Sequence, residues 1–283
     1  MIPSKQIIHW RQYAPWIFQS QVEQDLVLSR ALVSLYQQPI IQETLAFRGG
    51  TALNKLYCGS LARYSEDIDL VQIKDEPIGK VMDAIRTAID PWLGKASWKQ
   101  TARSVKFIYR FNSEDNPPTP LRLKIEINTV EPFTVFGFQE KHYQVESPWF
   151  SGKASIRTYK LEELMGTKLR ALYQRAKGRD LYDLWMAITQ LNVDCQKLLE
   201  ALIHYNKKHN IKISRAEYEK NLMEKKLSKD FLSDANQVLP ATTIWNPEEA
   251  FQVVFDKLIK QIPGDPWKGT EISSNTLAEE VIS

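Results

Sequence analysis

The residues best equipped for chemistry lie in one stretch, FRGGTALNKLYCGSLARYSEDIDLV, residues 47–71. There Asp67 and Asp69 flank Ile68 in an otherwise apolar run. On a strand, residues two apart share a face, so both carboxylates project together while Ile68 and Leu70 turn to the core. Their backbones lie about 7 Å apart, where two unit charges repel by about 2.4 kcal/mol at an effective dielectric of about 20. A divalent cation removes that cost. Magnesium, which takes oxygen ligands and bridges carboxylates to phosphates, suits such a pair. Upstream, Gly49 and Gly50 carry no Cβ and let the backbone approach a ligand closely, while a helix beginning near Thr51 aims its amides at a phosphate. Alone, a DxD pair also serves as a cap beside a solvated acid, and GGT serves any strand-to-helix turn. Their joint occurrence is sharper.

A second stretch, KLRALYQRAKGRDLYDLW, residues 168–185, crowds Arg175, Lys177, Arg179 and Asp180 around Gly178. Leu181, Leu184, Trp185 and Ile188 follow helical spacing and belong to the core. Asp180 and Asp183 share a helix face, and Lys168 stands on the preceding helix with Arg175 along the same side. A lysine for a triphosphate near an aspartate that orients a base or hydroxyl is what a bound nucleotide needs. The structural alternative is an Arg179–Asp180 pair capping the turn.

Positioning these groups requires a sheet. SQVEQDLVLSRALVSLYQQ reads as an amphipathic helix with Val22, Leu26, Leu28, Leu32 and Leu35 apolar, followed by a short strand over 44–47. IGKVMDAIRTAIDPWL is helical and breaks near Pro91. Val105, Phe107, Tyr109 and Phe111, then Leu121, Leu123, Ile125 and Ile127, alternate with polar residues as neighbouring strands do, across the loop NSEDNPPTP. From about residue 159 the pattern is helical. The fold class is therefore α+β, with an N-terminal domain over 1–152, a helical domain over 153–262 and a mobile tail over 263–283.

Composition excludes little. The chain of 283 residues is 43% hydrophobic, ample for a core, and its formal charge of +3 decides nothing about a nucleic-acid partner. Cys58 and Cys195 form no metal pattern and fit a reducing compartment. No apolar run approaches the roughly 18 residues of a membrane span, so a soluble, cytoplasmic protein without a membrane partner is expected. His9, His142, His204 and His209 form no HxH or HD pattern, which disfavours a metal hydrolase. Lys207, Lys208, Lys212, Arg215, Lys220, Lys225, Lys226 and Lys229 make a basic tract that serves as a solvated surface or neutralises RNA phosphates. Trp149, Tyr159, Trp245 and Trp267 suit core packing better than base stacking.

Taken together, hGG[ST] followed by SxDxDh resembles the DNA polymerase β-like nucleotidyltransferase superfamily. The joint occurrence of FRGGTAL, RYSEDIDL and KLRAL..R.KGRDLYDLW looks like its AbiEii, MenT-like, toxin branch, over roughly residues 45–184. The resemblance implies a polymerase-β-like domain, a mixed sheet flanked by helices, followed by an all-helical C-terminal domain. It implies that Gly49, Gly50 and Thr51 form the phosphate turn and that Asp67 and Asp69 hold one or two Mg²⁺ ions. Lys168 matches the nucleotide-contacting lysine and Asp183 the late aspartate, with Asp180 beside it. Arg48 and Ser65 flank the motifs as further nucleotide-binding candidates. Such folds carry a third carboxylate on a neighbouring strand, for which Glu126 is the candidate here, although the usual residue is Asp. The implied activity is Mg-dependent transfer of NMP from an NTP to an acceptor, first among acceptors the 3′ end of tRNA, with a cognate antitoxin as partner. Alternatives are transfer to a protein or small molecule, or a non-catalytic nucleotide-binding regulator.

Overall fold

The computed structural model describes residues 2–269; most of the expected mobile tail, 270–283, lies outside the described residues. In chain order come α1 (Ser4–Trp10), α2 (Gln19–Tyr36), α3 (Pro39–Thr44), β1 (Leu45–Arg48), α4 (Gly49–Leu53), β2 (Asp67–Gln72) and α5 (Gly79–Leu93). Five strands follow: β3 (Ser97–Gln100), β4 (Ser104–Asn112), β5 (Pro120–Asn128), β6 (Phe138–Glu146) and β7 (Ser151–Tyr159). The remainder is helical, with α6 (Leu161–Gln174), α7 (Gly178–Thr189), α8 (Cys195–Lys208), α9 (Arg215–Lys226), α10 (Lys229–Ser233) and α11 (Pro247–Lys257).

All seven strands join one mixed sheet in the order β3-β4-β5-β2-β1-β7-β6. β2 runs parallel to β5 and β1 parallel to β7, while the other pairings are antiparallel. The alternation read from the sequence holds: Val105, Phe107, Tyr109, Leu123, Ile125 and Ile127 are buried on one face. That face is covered by α2, which packs against α5, β5, β6 and β7. Buried Val22, Leu26, Leu28, Leu32 and Leu35 make α2 the central helix of the first lobe.

Three expectations shift. β1 ends one residue later than 47, because Arg48 pairs with Asp69. The helix expected to break near Pro91 continues to Leu93; a proline this close to the end removes little hydrogen bonding, and Gly94, at φ 82°, ends the helix. The boundary set at 152 falls inside β7, which pairs with β1 through Thr158 and Phe47, so the sheet runs to Tyr159 and helices begin at Leu161. Within the expected tail, the Trp267 N–H donates to Glu219 at 2.8 Å. Among the described residues no helix is long and apolar enough to cross a membrane.

In the second lobe, α6 packs on α7 and α8, and α11 on α7. α6 also reaches α4, which carries the lobe's charged residues to the end of the Gly-Gly turn.

Candidate active site

Asp67 and Asp69 project from the same face of β2, with Ile68 and Leu70 buried on the other. Parallel pairing sets Lys124 beside Asp67 and Glu126 beside Asp69. Lys124 Nζ lies 2.8 Å from Asp67 Oδ2 and 3.4 Å from Glu126, whose other oxygen meets Lys106 at 3.0 Å. Burial pushes the Asp69 carboxyl above its ordinary range, and the charge of Asp67 adds to it; Lys124 and Arg48 compensate only in part. Asp67 Oδ1 is buried with no hydrogen-bond partner. An orphaned carboxylate oxygen next to a second carboxylate short of positive charge is the donor set of a hard cation such as Mg²⁺. Among the described residues, however, no three His, Cys, Asp or Glu side chains converge into a metal-binding cluster. Two aspartates therefore fit a cation, and Glu126 stands adjacent but held by two lysines.

The glycines are fixed by this face. Gly49 has φ 82°, and a Cβ there would lie 2.5 Å from Asp69 Oδ2. At Gly50 a Cβ would stand 2.8 Å from Arg63 Nη2. The Thr51 hydroxyl donates to the Asp67 carbonyl at 2.5 Å, which leaves its oxygen to accept from the Ser65 hydroxyl at 2.7 Å. These bonds tie α4 to the start of β2. α4 then passes into a π-helical turn, Asn54–Cys58, where Asn54 donates to the Gly50 carbonyl and accepts from the Arg63 N–H.

The second lobe supplies a buried ionic network. Arg63 grips Asp183 with two bonds of 2.8 and 2.7 Å. Lys168 Nζ sits 3.0 Å from Asp180 and 3.1 Å from Asp183. Arg175 makes two bonds to Asp180, 2.7 and 2.9 Å. Burial alone would raise the Asp180 carboxyl, but Lys168 and Arg175 outweigh it and bring it down to about 2. Both aspartates are fully buried; they hold three cations in place and touch no open space. An ammonium has three donors, and two on Lys168 are taken.

Between the lobes lies a cleft of about 320 Å³. Gly50, Arg63, Ser65, Asp67 and Asp69 line it from the first lobe and Lys168, Arg175 and Arg179 from the second, together with Phe18, Gln21, Gln237 and Val238. Of the residues singled out by sequence, Gly50, Ser65, Asp67, Asp69 and Lys168 meet in this cleft, whereas Asp180 and Asp183 stand behind it. Arg48 is turned away: it donates to Glu131 at 2.6 Å, and Arg170 meets the same carboxylate at 3.0 Å. Sequence reasoning gave no role to Arg63, although it is the first residue of RYSEDIDL, and missed Glu131, for which there was no signal. Arg179 does not pair with Asp180 but lies 3.8 Å from Asp234.

The basic tract is partly internal. Lys225 donates to the carbonyls of Leu172 and Tyr173 at the end of α6 and to Asn221. Lys226 pairs with Glu248, Arg215 with Glu219 and Lys220 with Glu224. Trp245 packs edge-on against Tyr182 and Trp185, as core aromatics do.

Comparisons with known proteins agree on this architecture. No curated protein matches the chain by sequence. MenT4, the nucleotidyltransferase toxin Rv2826c of Mycobacterium tuberculosis H37Rv, superposes with a TM-score of 0.67 at 16% identity, over 94% of this chain and 92% of that one. JHP933 from Helicobacter pylori superposes with a TM-score of 0.53 at 22% identity, over 86% of this chain and 95% of that one. At such identities the likeness is one of fold. The family profile described as "Nucleotidyl transferase AbiEii toxin, Type IV TA system" matches residues 30–257, most of the chain and all of the cleft's charged residues. The chain belongs to the AbiEii family of nucleotidyltransferase toxins of type IV toxin–antitoxin systems.

Proposed function

We propose that this protein transfers NMP from an NTP to the 3′ hydroxyl of tRNA, with Mg²⁺ held by Asp67 and Asp69. The observation that carries this reading is the buried, unpartnered Asp67 Oδ1 on a two-carboxylate face that shares a cleft with Lys168, Arg175 and Arg179. Polyanionic triphosphate fits the cations of the cleft, and its carboxylates admit it only through a cation. When bound, Mg²⁺ supplies charge neutralisation for the attacking and leaving oxygens.

Arg175 and Arg179, the more exposed cations, receive the outer phosphates, and the remaining Lys168 donor reaches the same chain of oxygens. Gly50 leaves room for the phosphates beside Arg63, while Thr51 and Ser65 fix the β2 entrance. The acceptor oxygen attacks the α-phosphorus, the bond to the bridging oxygen breaks, and pyrophosphate leaves. Glu126, next to Asp69 in register, is the carboxylate assigned to receive the hydroxyl proton. Asp180 and Asp183 are positioning residues: they hold Lys168, Arg175 and Arg63. The type IV toxin–antitoxin family supports an antitoxin partner and action in the cytoplasm.

Incubation with each α-³²P-NTP, Mg²⁺ and a mixture of total RNA and protein extract tests the reaction. Label in a tRNA-sized band, absent with Asp67→Ala and Asp69→Ala, is the expected result. Label in a protein or small molecule would reassign the acceptor, and NTP binding without any label would reduce the protein to a nucleotide-binding regulator.

A further inference from the structure

Away from α2, the sheet turns its other face to solvent at β3, β4 and β5. Register places Lys99 opposite Lys106 and Arg110 opposite Arg122, with Lys124 next along β5 beside Asp67. Among the described residues, the outward positions of these strands hold Lys99, Lys106, Arg110, Arg122 and Lys124 against a single acid, Glu126. Like charges directly opposite one another destabilise a sheet. Glu126 offsets Lys106 and Lys124, but among the described residues Arg110 meets only the Ser97 hydroxyl, at 2.8 Å, and Arg122 has no ion pair. A surface kept soluble by charge would interleave signs; two opposed pairs of like sign suit an external polyanion instead.

The pair also sits at a groove. A hollow of about 550 Å³ is bounded by Arg110, Phe111 and Arg122 on the strands, Gln24 of α2 and Glu66. Gln24 donates to the Arg122 carbonyl at 2.8 Å, which fixes helix and strand edge together. Glu66 also lines the catalytic cleft, so the groove and the cleft are neighbours.

We infer that the β4–β5 groove is the acceptor track: a single-stranded nucleic-acid end lies along it, with phosphates on Arg110 and Arg122, and passes Lys124 to bring its terminal hydroxyl to Asp67 and Asp69. Arginine forks match phosphate oxygens in pairs. Lys124 stands between track and carboxylates, the point where the strand's negative charge meets theirs. The inference rests on the proposed reaction with RNA. It moves RNA recognition from the helical tract, where several cations are already paired, to the sheet face next to the chemistry.

The test uses the Asp69→Asn protein, which holds the chain chemically silent, and 5′-fluorescein tRNA read by anisotropy across a salt series. Adding Arg110→Ala and Arg122→Ala is expected to weaken binding roughly ten- to hundredfold and to make the slope of log K against log salt shallower by about 1.5. Melting temperature should hold or rise, because opposed arginines are removed; Arg110→Gln with Arg122→Gln repeats the measurement should the alanine variant fold poorly. Lys207→Ala with Lys208→Ala should bind like the parent. Unchanged binding in the arginine variants, with the parent binding normally, would overturn the track and leave the reaction standing. A parent that binds no tRNA would overturn the RNA reaction itself. Arginine-dependent binding of a polyglutamate peptide in place of tRNA would overturn the nucleic-acid assignment in favour of an acidic protein.

Discussion

Gly49 and Asp69 share one space: a Cβ on the glycine would stand 2.5 Å from the aspartate's Oδ2. With φ at 82°, the same residue occupies backbone territory that a side chain strains. Gly49→Ala should therefore cost about 1–3 kcal/mol of stability and displace Asp69, lowering nucleotidyl transfer by an order of magnitude or more. Chemical denaturation and initial rates measured together check both. Full activity at wild-type stability would contradict the packing of turn against carboxylate.

Asp69 is a burden to the metal-free fold. Its carboxyl is held above the usual range first by burial and then by Asp67. Replacing the charge with an amide should raise the melting temperature in EDTA while abolishing transfer. A lower melting temperature for Asp69→Asn would show that its charge is already compensated within the protein.

Asp183 acts through Arg63 and Lys168. Removing one partner of a buried pair leaves the other charges uncompensated, at about 3–5 kcal/mol. Asp183→Asn should unfold at distinctly lower denaturant concentration, and NTP binding should weaken in whatever fraction stays folded. Were stability untouched and turnover alone lost, Asp183 would be a direct participant instead of a support.

Glu131 carries a pH signature. Burial would raise it, but Arg48 and Arg170 prevail and lower it from 4.5 to about 2. A folded-state value below the unfolded one means the unfolded chain binds the extra proton first. The stabilisation is full above about 4.5 and is lost as pH falls toward 2, amounting to about 3 kcal/mol. Glu131→Gln should be less stable at pH 7 and should flatten this part of the acid-unfolding curve. A parallel curve would place the acid sensitivity elsewhere, first in Asp180, which is also lowered to about 2.

The parts of this fold legible in the sequence are those governed by period and by local chemistry. Alternation along β4 and β5 announced the strands because one face is buried against α2 and the other open. The Gly-Gly turn and the aspartate pair were legible because close approach and like charge demand particular residue types at fixed spacing. Register was not legible: nothing local says that Glu126 falls beside Asp69, since parallel pairing of β2 with β5 joins segments far apart in the chain. Nor could sequence separate surface lysines from wired ones; Lys225, amid a basic tract, closes the end of α6. Asp180 and Asp183 were recognised, but that they stand one layer behind the cleft depends on how α7 packs against α6.

The most direct measurement compares label transfer from α-³²P-NTP to intact tRNA and to tRNA whose 3′ diol has been oxidised with periodate, with wild-type protein and Asp67→Ala in Mg²⁺. Label on intact tRNA alone, and only with wild-type protein, is the predicted result. Equal labelling of oxidised tRNA, or undiminished transfer by Asp67→Ala, would contradict a 3′-hydroxyl acceptor or a role for the aspartate pair, respectively.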